Sequence, residues 1–228
     1  MKYFLISVLI LIFSLQAEEW NTYKHDYRRS GVTTADAPSQ LSLRWKRSSK
    51  QVPQTAWSAP AKWDAWAGNK GLQSLRNFDP AFFVTGKDNK VYFGSSVYNA
   101  VHCLDLKSGK EEWVFFSNGP VRFPPTIKGD KLYFGSDDGF VYCINDSGKE
   151  IWKYQAASNN RIIASNGKMI SMWPCRTGVI VENNKVYFAN SLVPWESVPS
   201  TLRQVKRYIN ISTKISPSKV LSSPPLQS

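Results

Sequence analysis

Asp137-Asp138-Gly139 is a compact acidic spot in a chain of 228 residues, and it poses the first chemical question. Two neighbouring carboxylates could ligate Ca²⁺ through oxygen or serve as a base. Asp-Gly is equally a good hairpin turn, and the strand-like runs on either side favour the turn. Cys103, Cys143 and Cys175 are the thiols. They lack the close Cys/His spacing of a zinc site, and three thiols cannot all pair with one another. Their expected role is as small buried core residues. His25 and His102 are the only imidazoles. His102 stands on a strand-like run where Tyr142 takes the same place 40 positions on, which points to a structural role. Arg176, beside Trp173 and Cys175, is the expected face-lining residue, together with Trp173. Trp57, Trp63, Trp66 and Trp173 are an aromatic set of the kind that binds carbohydrate or peptide. These patterns assign no catalytic, cofactor-binding or metal-binding residue.

A repeat must position these side chains. Val91-Tyr92-Phe93-Gly94-Ser95 returns as Leu132-Tyr133-Phe134-Gly135-Ser136, and Val101-His102-Cys103-Leu104-Asp105 returns as Val141-Tyr142-Cys143-Ile144-Asn145. Each pair is followed by a turn and a tryptophan: Asp105, Ser108, Gly109 and Trp113, then Asn145, Ser147, Gly148 and Trp152. Asp or Asn and Ser can bridge a tight turn, glycine can take positive φ, and an indole on the next strand can cover the neighbouring unit. Short β-type runs at a period of about 40 residues mark a β-propeller. The period predicts a third unit at Val179 to Phe188, delayed by extra length within Ser158 to Arg176. Leu43 to Lys46 reads as the closing strand of a blade, with Trp45 matching Trp113 and Trp152. Gln51 to Asp79 reads as a long loop with a short helix at Lys70 to Arg76.

The turn-and-tryptophan segment resembles the docking motif of quinoprotein-type propellers, Ala-x-Asp-x-x-Thr-Gly-Lys-x-x-Trp, with Cys103 in place of Ala and Ser108 in place of Thr. The resemblance runs from Leu41 to Ser191 and is densest from Lys90 to Tyr154. It implies an all-β fold, an incomplete quinoprotein-like β-propeller of four-stranded antiparallel blades. The pyrroloquinoline-quinone-like repeat family contains calcium- and quinone-dependent dehydrogenases and also non-enzymatic members such as an outer-membrane assembly lipoprotein. The dehydrogenases use a catalytic Asp, Ca²⁺ held by Glu, Asn and Asp oxygens, a basic residue at the quinone and often two adjacent cysteines. This chain has no adjacent cysteine pair.

The ends carry different signals. Residues 1–17 read as a cleaved secretory signal: Lys2, an apolar run from Phe4 to Phe13, and Ala17 before Glu18. That run is short of the ~20 apolar residues that span a bilayer. Residues 18–196 read as a partial propeller with repeats near 80–117, 118–155 and 156–196. Residues 197–228 read as an irregular, out-of-frame tail on a truncated product. Among the codons that Ser197 to Lys206 permit, a shifted reading can spell the motif due at that point, and the tail holds Arg203, Lys206, Arg207, Lys214 and Lys219 with no acid. Outside it the basic residues of this +12 chain are scattered among acids, which argues against a nucleic-acid partner.

The expected function is an exported, periplasmic or extracellular, non-enzymatic scaffold that binds a protein or ligand, with no cofactor and no transmembrane segment after signal cleavage. Its expected partner is another protein or the missing blades. Two alternatives stand beside it. One is a piece of a pyrroloquinoline-quinone-dependent dehydrogenase, with quinone and calcium; the other is a carbohydrate- or peptide-binding propeller.

Overall fold

The computed structural model describes residues 18–53, 82–156, 160–165 and 167–190, and the backbone of 205–210. Every regular element among the described residues is a strand. β1 (Val84–Lys87), β2 (Lys90–Ser95), β3 (Ala100–Asp105) and β4 (Glu111–Phe116) form one antiparallel sheet in that order. β5 (Thr126–Lys128), β6 (Lys131–Gly135), β7 (Phe140–Asn145) and β8 (Glu150–Gln155) form a second. After a hairpin of β9 (Ile162–Ser165) and β10 (Lys168–Ser171), a third sheet contains β11 (Ile180–Glu182), β12 (Lys185–Asn190) and β13 (Val205–Asn210). The hairpin accounts for the extra length foreseen between residues 158 and 176.

Two-residue turns join the first two strands of each sheet, and such turns need positive φ. Asp88 (φ 54°), Gly129 (φ 62°) and Asn183 with Asn184 (φ 48° and 57°) supply it. The register repeats with the turns. Lys90 pairs with Asp105, Lys131 with Asn145 and Lys185 with Asn210. The first two sheets also share a bulge in their outer pair, between Cys103 and Leu104 and between Cys143 and Ile144. A bulge increases local twist and re-aims the side chains beside it.

Strand alternation sends successive side chains to opposite faces, so each inner sheet packs on two neighbours. Tyr92, Val101, Cys103, Trp113 and Phe115 of the first sheet meet Ile127, Leu132, Phe134, Tyr142 and Ile144 of the second in one core. Tyr133, Val141, Cys143, Trp152 and Tyr154 then meet Val181, Val186 and Phe188 of the third in another. The three cysteines are buried and unpaired in these layers.

The tryptophans fasten one unit to the next. Trp113 on β4 lies over Gly148, where an added Cβ would come within 2.7 Å of its ring, and its Nε1 donates to the Asp146 carbonyl at 2.9 Å. Trp45 does the same to the first sheet: a Cβ on Gly109 would meet its ring at 2.5 Å, and its Nε1 donates to the Leu106 carbonyl at 2.8 Å. Both turns are shaped as their residue types suggest. The Asp105 carboxylate accepts from the Ser108 amide and hydroxyl, both at 2.6 Å, while Asn145 Oδ1 accepts from the Ser147 and Lys149 amides at 3.1 and 2.8 Å.

Two expectations need correction. Leu43 to Lys46 form no strand; the segment is anchored by the Trp45 indole rather than by a backbone ladder. Residues 205–210, within the stretch read as irregular, form β13, because the edge of β12 offers a ladder that the Val-Lys-Arg-Tyr-Ile-Asn run, free of Pro and Gly, can complete. The third sheet consequently extends beyond residue 196. The helix foreseen at 70–76 lies outside the described residues.

The N-terminal segment is an unforeseen element. Trp20 and Gly86 exchange two backbone hydrogen bonds at 2.9 Å, the Ile127 amide donates to the Asn21 carbonyl at 2.7 Å, and an Arg29 guanidinium nitrogen donates to the Gly178 carbonyl at 3.1 Å. Residues 20–29 therefore lace the inner strands of the first two sheets to the lead-in of the third.

Gly109 and Gly129 both have positive φ, at 69° and 62°, but only Gly109 lies beneath an indole. Gly129→Ala should cost about 1 kcal/mol, the backbone penalty alone. Gly109→Ala should cost about 2–4 kcal/mol, because it also displaces Trp45. Urea unfolding of the two variants measures the difference, and equal costs would show that the indole does not load the turn.

Candidate functional site

One end of the sheets gathers charge. The connector from β4 to β5 contains Pro120-Val121-Arg122, and the connector into β11 contains Pro174-Cys175-Arg176. The two triplets are equivalent, each Arg lying four residues before the first paired residue of its sheet (Thr126 and Ile180). The backbone confirms the match: Val121 N donates to the Ser95 carbonyl and Cys175 N to the Ser136 carbonyl. Gly94 and Gly135 make room beneath, where an added Cβ would strike the Phe123 carbonyl at 2.5 Å and Cys175 at 2.6 Å.

Both arginines reach Asp137, in the turn between β6 and β7. Arg122 Nε and a terminal nitrogen lie 2.8 and 2.7 Å from Asp137 Oδ2. Arg176 Nε donates to Oδ1 at 2.9 Å and a terminal nitrogen to Oδ2 at 3.2 Å. Asp137 is wholly buried, and the Arg122 and Arg176 side chains are only 5% and 12% exposed. Burial of this kind is tolerated only with charge pairing and good hydrogen-bond geometry. The Asp137 carbonyl also accepts from the Ser171 amide at 2.7 Å, tying the β9–β10 hairpin to the same point.

Lys168 on β10 completes the cluster, donating to the Val97 carbonyl and to Asn99 Oδ1, each at 2.5 Å. Burial holds its ammonium below the usual lysine range, the Arg122 charge adds to that effect, and Asp137 opposes it. Two guanidinium groups thus clamp one buried carboxylate, with the Lys168 ammonium within its electrostatic reach. Asp138 belongs to the turn instead: it accepts from the Tyr142 hydroxyl at 2.6 Å and from the Phe140 and Asn118 amides at 3.0 and 3.1 Å, beside Gly139 with φ 88°. Burial raises its pKa, and the Tyr142 hydroxyl and backbone amides resist that rise.

The acidic spot is therefore split. Asp138-Gly139 is the turn read from sequence, while Asp137 is the hub of an arginine clamp, which that reading missed. The repeated Pro-x-Arg triplet was the available signal. Arg176 sits in this cluster, whereas Trp173, half-buried nearby, uses its amide on Ser171 Oγ at 3.1 Å. Trp57, Trp63 and Trp66 lie outside the described residues. The turn set of Asp105, Ser108, Gly109, Asn145, Ser147 and Gly148 lies at the opposite end of the strands from Asp137, with Trp113 and Trp152 on β4 and β8.

The cysteines are poor nucleophiles. Burial pushes the Cys103 and Cys143 thiols up to about 12, and it raises Cys175 further. His102 stacks on Phe93 at 4.6 Å, as Tyr142 stacks on Phe134 at 5.2 Å, and its Nδ1 lies 2.9 Å from Glu111. Burial lowers its pKa, against the raising influence of Glu111. His25 pairs with Glu18 at 3.0 Å within the N-terminal lace. Among the described residues no group of three or more His, Cys, Asp or Glu side chains gathers as a metal site, and no helix is long and apolar enough to cross a membrane.

Three stacked antiparallel sheets with indoles over glycine turns can be compared with known proteins. A family model described as the outer membrane protein assembly factor BamB matches residues 37–192. The chain belongs to that family of quinoprotein-like propellers. It is similar to a quinoprotein ethanol dehydrogenase of Pseudomonas aeruginosa, 27% identical over 127 residues, which covers 51% of this chain and 20% of that protein. A quinoprotein ethanol dehydrogenase of Pseudomonas putida is 31% identical over 98 residues, 39% of this chain and 15% of that protein. The chain thus spans a fifth or less of the length of these relatives. A quinohemoprotein alcohol dehydrogenase from Comamonas testosteroni shares the fold with a TM-score of 0.50 at 16% identity, covering 77% of this chain and 24% of that one.

Asp137→Asn should destabilise the protein by about 3–5 kcal/mol, because it leaves two buried guanidinium groups without their counter-charge. Thermal and urea unfolding followed by circular dichroism measures this. A loss below about 1 kcal/mol, the range of exposed ion pairs, would contradict the clamp.

Proposed function

We propose that this chain is an exported, non-enzymatic propeller scaffold that holds a protein partner or ligand on its sheet faces and turns. The observation that carries the reading is the commitment of Asp137. Both of its oxygens accept from guanidinium groups, and it has no contact with solvent. A carboxylate so held cannot take a proton from a substrate without losing its clamp. Nor does it suit Ca²⁺, because two arginines already hold its oxygens and a divalent cation would add to their repulsion. Asp138 spends its oxygens on Tyr142, Phe140 and Asn118. On this reading the chain works without quinone or calcium.

The family description, an outer-membrane assembly factor, supports the scaffold role and export, and the leader-like pattern of residues 1–17 supports export. The names of the curated relatives favour a second reading, in which the chain corresponds to part of a quinone-dependent alcohol dehydrogenase.

Addition of pyrroloquinoline quinone and Ca²⁺ to the full chain, with ethanol or a sugar and an electron-accepting dye, separates the two. The scaffold reading expects no saturable quinone uptake in equilibrium dialysis and dye reduction no faster than the protein-free blank. Alcohol-dependent dye reduction would overturn it.

A further inference from the structure

His102 repeats the stacking of its counterpart in the second sheet but not its hydrogen bonding. Both rings lie flat on a phenylalanine, His102 on Phe93 at 4.6 Å and 6°, and Tyr142 on Phe134 at 5.2 Å and 9°. The Tyr142 hydroxyl is satisfied by Asp138 Oδ2 at 2.6 Å. His102 meets Glu111 through Nδ1 at 2.9 Å, while its Nε2 is buried and has no hydrogen-bond partner among the described residues. Arg47 donates to the same Glu111 oxygen at 2.5 Å, so that carboxylate acts as an acceptor. Nδ1 therefore carries the proton, and burial, which lowers the imidazole pKa, keeps the ring neutral. Nε2 is left as a lone pair in search of a donor, a costly state for a buried group.

The space beside this imidazole is a cavity. In the second sheet the stacked pair is covered edge-on by Phe115 of the first, 5.7 Å from Phe134 and 5.6 Å from Tyr142. Phe115 stands two positions after Trp113; two positions after Trp45 stands Arg47, whose guanidinium lies 5.8 Å over Phe93. A guanidinium turned toward Glu111 does not fill the place of a phenyl ring. A pocket of about 630 Å³ remains between the first sheet and the segment after Trp45, lined by Phe82, Phe93, Tyr98, His102 and Phe116. That volume lies in the range of small-molecule sites, and rings make up much of the wall. Of its charges, Arg47 and Glu111 pair with each other, and Lys50 is exposed. Nε2 is out of reach of water, so an entering donor must move a neighbour. Tyr98, edge-on to the imidazole at 6.1 Å and 43% exposed, is the adjoining ring that solvent exposure leaves able to turn.

We propose that this pocket binds an uncharged aromatic molecule of one or two rings that carries an N–H or O–H donor, with its ring among the aromatic walls and its donor on His102 Nε2. The ring is called for because the stacked pair one unit on is covered by a phenyl edge, and the same edge-to-face contact is open here. The molecule is uncharged because the Arg47 and Glu111 charges are already matched. It carries a donor because the one unpaired group in the wall is an acceptor. The inference rests on the geometry of the first sheet and not on the scaffold reading.

The test is equilibrium dialysis of the full chain against indole, which has the donor, and 1-methylindole, which lacks it. Indole should bind saturably and at least about tenfold more tightly, because the methylated ring leaves Nε2 unpaired. His102→Phe keeps a flat ring on Phe93 and removes the acceptor, so the two probes should then bind within about twofold of each other. Phe116→Asp, at a site 70% exposed, should weaken both probes by about tenfold or more. Circular dichroism checks that each variant is folded; if His102→Phe is not, the probe pair on the native chain and the Phe116 variant still decide. No saturable indole uptake, equal affinity of the native chain for both probes, a preference for indole that survives His102→Phe, or undiminished uptake by the Phe116 variant would overturn the proposal. Dye reduction in the quinone assay bears on the scaffold reading alone, and failure to take up indole leaves that reading standing.

Discussion

An indole lying on a glycine is the contact that the rest of this molecule depends on. A four-stranded sheet with two apolar faces is not stable alone; it must be covered on both sides. Trp113 and Trp45 provide the fastening at the outer edge of that cover. Each works because the turn it meets has no side chain and a backbone that only glycine takes easily, with φ of 77° at Gly148 and 69° at Gly109. The indole nitrogen then finds a carbonyl of the same turn, so the large ring is buried without an unsatisfied donor. The Asp105 and Asn145 side chains hold the turns in the shape that receives the ring.

A second set of constraints works at the other end of the strands and along the inner edge. Arg122 and Arg176, from equivalent points of successive connectors, clamp one carboxylate of the middle sheet. Residues 20–29 run past the inner strands and join them. The indoles therefore fix the sheets at one margin, and charge and backbone hydrogen bonds fix them at the others. The cost of dehydrating Asp137 is offset only while both guanidinium groups are in place, which makes the cluster a structural device rather than a reactive one.

The fold was largely legible because its signals are local. Alternating runs, a Gly or Asn turn and a tryptophan at fixed spacing are each confined to about ten residues, and they return 39 to 41 positions later. The candidate site was much less so. Asp137 looks like any residue of a hairpin turn until two arginines, 54 positions apart, are seen to meet it. The Pro-x-Arg triplets were visible, but nothing in one sequence says that connectors converge. The N-terminal lace was illegible for the opposite reason: Trp20 to Arg29 make solitary contacts that no repeat announces. Trp45 lies between these cases. Its role followed from its resemblance to Trp113, whereas the strand assigned around it did not form, because a docked ring does not require a ladder.

The most direct test of the docking contact is a double-mutant cycle on Trp113→Ala and Gly148→Ala, with unfolding free energies measured in urea. If the ring rests on the turn, the alanine at 148 is costly only while the indole is present. The two changes together should then cost at least 1 kcal/mol less than the sum of the single costs, within the range of contacting pairs. Strict additivity, with Gly148→Ala costing the same whether or not Trp113 is there, would contradict the account.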